Sequence, residues 1–270
     1  MIKVSSVRWV KPVLAMMLVS GLVVATPKPG LLSAQPVLLS QVDSETLKQQ
    51  ITAFYDQGLY AEATPLAEEH LALVETQLGT EHPEVATSLN MLGLLYQVQG
   101  RYDEAESIIQ RALDIHETQL GPQHPEVATS LNNLGDLYGL QRRYDEAEAL
   151  IQRALTIHET QLDPQHPKVA ISLNSLGKLY SAQGRYADAE PVYLRALTIR
   201  QTRFGSQHPD VARSLNNLAG VHYSLGNYEN AQAMLERAID IYQMQLGPHH
   251  PDTLRAYQNY KLLQETINQP

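Results

Sequence analysis

Four asparagines stand at one spacing in this chain: Asn90, Asn132, Asn174 and Asn216, each 42 residues after the last. A side-chain amide both donates and accepts, so a row of them can pair with the main chain of an extended peptide whatever its sequence. Asn is a mediocre helix former, and four repetitions at one mid-helix position need a reason. Two reasons are open. The amides form a binding ladder, or each bonds to a neighbouring helix and orders the structure. The face around them carries Leu94, Asp136, Lys178, Arg213 and Tyr223. Charge there is mixed, and no basic ring built to grasp a carboxylate is evident. Leu94, Leu140 and Tyr223 offer apolar anchors at intervals, which suits a partner with an extended backbone and a few hydrophobic side chains.

Other chemistry is poorly represented. The chain has no cysteine, which excludes disulfides, thiolate chemistry and cysteine-ligated zinc. Of its ten histidines, five precede proline and read as helix entries. His116 and His158 end predicted helices, and their column continues as Arg200 and Tyr242. A metal ligand would not tolerate that exchange, whereas a helix C-terminus accepts His or Arg. Nucleophile elbows, phosphate loops and dinucleotide fingerprints are absent. Asp103, Glu104 and Glu106 read as the solvated start of a helix rather than as general acids. No metal, cofactor or catalytic residue is therefore expected. A net charge of −9 without a basic block argues against nucleic acid.

These residues are set in a unit of 42 residues. It reads H-P-x-V-A-x-S-L-N-x-L, then R-Y-x-E-A-E and R-A-L-x-I, with His-Pro pairs beginning at His82, His124, His166, His208 and His250. A fixed period of this size means one supersecondary unit stacked on copies of itself. In the unit from His82, Pro83 suits a first helical position. Val85, Leu89, Leu92, Gly93 and Tyr96 form a helical stripe, and Gly100 stops it. A second helix begins near Tyr102, buries Ala105, Ile109, Ala112 and Leu113, and stops at Gly121. Neither helix can bury its stripe alone, so the next unit must cover it. The columns Gly93, Gly135, Gly177, Ala219 and Ala105, Ala147, Ala189, Ala231 mark close helix approach. Tyr102, Tyr144, Tyr186 and Tyr228 form a column expected to pack in the core with their hydroxyls near solvent.

The expected organisation is a signal segment over 1–25, a flexible linker over 26–42 and a repeat array over 43–269. The array divides into units of about 43–81, 82–123, 124–165, 166–207 and 208–249, with a cap over 250–269. The start carries Lys3, Arg8 and Lys11, then an almost wholly apolar stretch ending at Ala25. That is the form of a secretory signal, and the apolar stretch is short for a membrane span. An exported, periplasmic or secreted location is expected, the alternative being an uncleaved membrane anchor.

Leu131, Leu134, Gly135, Tyr138, Tyr144, Ala147 and Ala154 resemble the tetratricopeptide repeat (TPR) pattern. The 42-residue period, the G-x-x-H-P link and the phrases L-N-N-L (Leu131–Leu134, Leu215–Leu218) and A-E-P-V-Y-L-R-A-L (Ala189–Leu197) resemble the kinesin light chain type in particular. The resemblance implies an all-α fold: a right-handed α-solenoid of five antiparallel helix pairs plus a C-terminal capping helix. It also implies that the asparagine face lines the concave side. The function expected is a non-catalytic, bacterial, exported scaffold that holds an extended segment of another protein in its groove. The concave residues expected to bind are Asn90, Leu94, Asn132, Asp136, Asn174, Lys178, Arg213, Asn216 and Tyr223. An oligomerising architectural role, or regulation of an enzyme encoded elsewhere, is the alternative.

Overall fold

The computed structural model describes residues 43–268. The expected signal (1–25) and linker (26–42) lie outside the described residues, as does residue 269 of the cap. Eleven α-helices follow one another: α1 (Ser44–Asp56), α2 (Tyr60–Leu78), α3 (Pro83–Val98), α4 (Tyr102–Leu120), α5 (Pro125–Leu140), α6 (Tyr144–Gln161), α7 (Pro167–Ala182), α8 (Tyr186–Phe204), α9 (Pro209–Ser224), α10 (Tyr228–Leu246) and α11 (Pro251–Ile267). Five consecutive pairs form hairpins, and α11 closes the series. No strand occurs among the described residues.

Each His-Pro link starts a helix by the same device. His82, His124, His166, His208 and His250 are N-caps, and their Nδ1 atoms accept the backbone N–H two residues on, each at 3.1 Å. The cap satisfies one of the amides that a helix start leaves without an intrahelical acceptor, and the following proline has no amide to satisfy. The turn inside each hairpin needs one residue at positive φ. Gly58, Gly100, Gly184 and Gly226 supply it, and in the third unit Arg142 does so at φ 65°.

Within a hairpin the helices meet over the small-residue columns. A Cβ on Gly93 would lie 2.4 Å from Ile109 Cγ1, and one on Gly177 would lie 2.6 Å from Tyr193 Cε1. Ala105, Ala147, Ala189 and Ala231 are fully buried beside them. Between hairpins the apolar seam is continuous: Val127, Ala128 and Leu131 of α5 share one cluster with Leu92 and Leu95 of α3 and Ile109 and Leu113 of α4. The tyrosines at the hairpin turns pack partly buried against these clusters at Tyr102, Tyr144 and Tyr186. Tyr228 departs from that expectation and is exposed.

The odd-numbered helices also approach one another directly, α3 to α5, α5 to α7 and α7 to α9. They form the inner layer of the solenoid. Salt bridges tie successive even-numbered helices, Glu75 to Arg111 at 2.8 Å, Glu117 to Arg153 at 2.7 Å and Glu159 to Arg195.

Candidate binding groove

The four asparagines lie on the inner layer and do not share one environment. Asn90 is 5% exposed and Asn132 is 3% exposed. Asn90 Nδ2 donates to Ser130 Oγ at 2.7 Å, and Ser130 Oγ lies 2.9 Å from His116 Nδ1. One unit on, Asn132 Nδ2 donates to Ser172 Oγ at 2.7 Å, and Ser172 Oγ lies 2.8 Å from His158 Nδ1. The second ring nitrogen of His158 donates to the Pro125 carbonyl at 3.2 Å. Each chain of bonds crosses from one hairpin to the next. In it a neutral imidazole accepts from the serine, which leaves the serine oxygen free to accept from the amide. Burial holds the imidazoles neutral. It lowers the pKa of His116 and takes that of His158 down to about 4. His116 and His158 are thus fully buried links between hairpins.

The pattern breaks at the next junction. Arg200 occupies the histidine column, 2% exposed, and its Nη1 donates to Ser214 Oγ at 2.6 Å. Ser214 donates in turn to the Asp210 carbonyl at 3.3 Å. No hydrogen bond joins Asn174 Nδ2 to Ser214 at this junction. Asn174 keeps one bond, its Oδ1 accepting from Asn217 at 2.9 Å. Asn216 likewise accepts from Asn259 at 2.9 Å, and Ala256 stands where a serine would have met its Nδ2. The Nδ2 donors of Asn174 and Asn216 therefore have no protein acceptor among the described residues. Desolvation lowers the Arg200 pKa to about 10, and the guanidinium remains a cation at neutral pH.

These two asparagines line a cavity of about 320 Å³ together with Lys178, Arg213, Asn217, Tyr242, Asp252, Arg255 and Tyr55. Lys178 pairs with Asp136 and Arg213 with Asp210, both at 2.5 Å, and Arg255 pairs with Asp252 at 3.2 Å. Asp136 and Lys178 also border a smaller hollow of about 120 Å³, with Gln97, Leu140 and Ser175. Leu94 and Tyr223 lie outside both hollows. The Tyr223 hydroxyl is 2.9 Å from Thr266 Oγ1, and its ring packs on Tyr228.

The expected site is thus divided. Asn174, Lys178, Arg213 and Asn216 come together, whereas Asn90 and Asn132 are drawn into the seams between hairpins. Tyr55, Asn217, Tyr242 and Arg255 of the cavity escape a reading confined to one column. Arg255 repeats Arg213 at an interval of 42, which was a usable signal, but nothing in the repeat pattern points to Tyr55. The serine links were written in the S-L-N phrase of each unit. Among the described residues no group of three or more His, Asp or Glu is placed to hold a metal ion.

A solenoid of helical hairpins with this polar inner face defines an interaction scaffold. The chain belongs to the tetratricopeptide repeat family: that family's pattern matches residues 92–159, 139–202, 183–244 and 210–270, and a second form of it matches 49–125. The repeats are kinesin light chain-like. Among solved structures, BtubC (BKLC) from P. vanneervenii is similar at 28% identity and TM-score 0.58, over 75% of this chain and 81% of that one. Two structures of nearly identical TPR-like repeats from Podosopora anserina, which carry the kinesin light chain designation, are also similar. One, at 25% identity and TM-score 0.54, covers 74% of this chain and 96% of its own. The other, a single-substitution form, is at 24% identity and TM-score 0.55, over 75% and 95%. No curated protein matches the chain. Repeats of this family generally mediate protein–protein contacts, and the fold is generally a non-catalytic scaffold.

Proposed function

We propose that the protein is a scaffold that binds an extended segment of another protein along the inner face, and that binding is concentrated in its C-terminal half. The observation that carries this reading is the pair of amide donors on Asn174 and Asn216, which face the cavity without protein acceptors. Lys178, Arg213 and Arg255 each have one carboxylate partner and keep further N–H donors. The cavity is therefore rich in donors, and peptide carbonyls are the complementary ligand. Each bond contributes about 0.5–1.5 kcal/mol net, so several must act together. Leu140 is an exposed apolar contact beside the smaller hollow. The basic and apolar start of the chain, residues 1–25, supports export of this scaffold from the cytoplasm.

The test begins with peptides selected from a random display library against the wild-type array. Their affinity is then measured for Asn174→Ala/Asn216→Ala and for Asn132→Ala. The expected result is weakened binding with a near-native melting curve for the first variant. Asn132→Ala should show a lowered melting temperature and retained affinity when folded. Equal affinity across all three proteins rejects the C-terminal site.

A further inference from the structure

The cavity is not built from neighbouring repeats alone. Tyr55, at the end of α1, shares its wall with residues of α7, α9, α10 and α11. The two ends of the array meet close by: a Cβ on Gly58, in the α1–α2 turn, would lie 3.4 Å from the Pro251 side chain at the start of α11. The superhelix thus returns on itself, and its first hairpin touches its last helix. Tyr55 is 36% exposed, its ring stands edge-on to Tyr60 at 5.3 Å, and burial followed by Tyr60 raises the pKa of its hydroxyl while Arg213 lowers it.

This seam is unlike the junctions between successive hairpins. Among the described residues no hydrogen bond or ion pair joins the Tyr55–Gly58 segment to α11. Its two sides are also the least anchored of the inner helices. α1 buries only Leu47 and Ile51 fully, and α11 buries Thr253, Ala256, Asn259 and Leu263, whereas α3 buries nine residues. A contact of small apolar area, without directional bonds, opens at far lower free energy than the packed core.

We propose that the α1–α2 hairpin is a latch: closed against α11 it supplies, through Tyr55, one wall of the cavity at Asn174 and Asn216, and its release admits a partner segment. The proposal rests on the groove reading above but concerns access rather than affinity, and both of its assays work without a peptide.

The chain's lack of cysteine allows single thiols to be introduced cleanly. Spin labels on Gln57→Cys/Gln258→Cys report the seam by dipolar distance. A short, narrow population is expected in the parent, with a second, longer one when Tyr55→Ala and Gly58→Arg are added. In Asn216→Cys, the rate of labelling by a polymer-tethered maleimide is divided by the rate with N-ethylmaleimide. That ratio should rise severalfold when the same seam substitutions are added. Circular dichroism melting checks that the rest of the array stays folded. A long distance in the parent, or an unchanged rate ratio in the opened variant, overturns the latch. Peptide selection that fails while both assays behave as stated counts against the groove reading and leaves the latch standing.

Discussion

Two junctions of the same array show what one side chain can decide. Between the units at 82–123 and 124–165, His116, Ser130 and Asn90 form a buried neutral chain, and the asparagine is consumed in holding the stack. Between 166–207 and 208–249, Arg200 stands in the histidine's place and bonds Ser214 as a donor, and Asn174 lines the cavity with its Nδ2 unpaired among the described residues. What differs is the direction of one hydrogen bond. A neutral imidazole nitrogen accepts the serine O–H, whereas a guanidinium donates to one of the two serine lone pairs. Where arginine replaces the histidine, or Ala256 replaces the serine, the Nδ2 atoms of Asn174 and Asn216 have no protein acceptor among the described residues.

The largest effect should come from the core that both junctions share, compared with the end of the array. Leu131 is fully buried, while Tyr257, at the same register on α11, is 41% exposed. Leu131→Ala should cost about 2–5 kcal/mol in chemical denaturation, and Tyr257→Ala should cost under about 1 kcal/mol. Equal costs would mean that α11 is packed as the inner repeats are.

The junctions should next separate by pH. The His158 pKa is lowered to about 4 in the folded protein from an unfolded value near 6.5. The folded state therefore disfavours the proton. Its stability is complete above about pH 6.5 and declines as pH falls toward about 4, by up to about 3 kcal/mol from this group. His116 adds a loss in the same direction. Arg200 does not titrate in that window, so His116→Gln/His158→Gln should flatten the profile while Arg200→Gln leaves its slope unchanged.

Converting one junction into the other gives a sharper test. Arg200→His removes a buried cation and restores the histidine–serine–asparagine arrangement of the earlier junctions. It should stabilise the array by about 1–2 kcal/mol while weakening peptide binding in the groove. Stabilisation without a change in binding would mean that the freed amide is idle. Asn132→Ala should destabilise by about 1–3 kcal/mol, since the buried Ser172 loses its donor, and Asn174→Ala should cost less than that. The smallest effect is expected in the third hairpin turn, where Arg142 holds the positive φ that glycine supplies elsewhere. Arg142→Gly should raise stability by about 0.5–1 kcal/mol, read as a shift of the denaturation midpoint.

Much of this architecture is legible without coordinates. Pro83, Pro125, Pro167, Pro209 and Pro251 open helices, and Gly93, Gly135 and Gly177 mark where hairpins close, because each residue type answers a local steric demand. The site is less legible. Asn90 and Asn174 occupy the same phrase of the repeat, and no property of asparagine separates them. The distinction comes from Arg200 on α8 and Ser214 on α9, which meet at the junction that Asn174 borders. Residues 55 and 255 meet at the cavity for a similar reason.

Sequence alone determined where the helices start and stop and how they pair into stacked hairpins, since both follow from periodicity and from local backbone preference. Tertiary structure alone decided which amides remain free and which ends meet. Hydrogen-bond competition inside a junction depends on three side chains from different helices. The curvature that brings Gly58 to Pro251 accumulates over five hairpins and belongs to no single one of them.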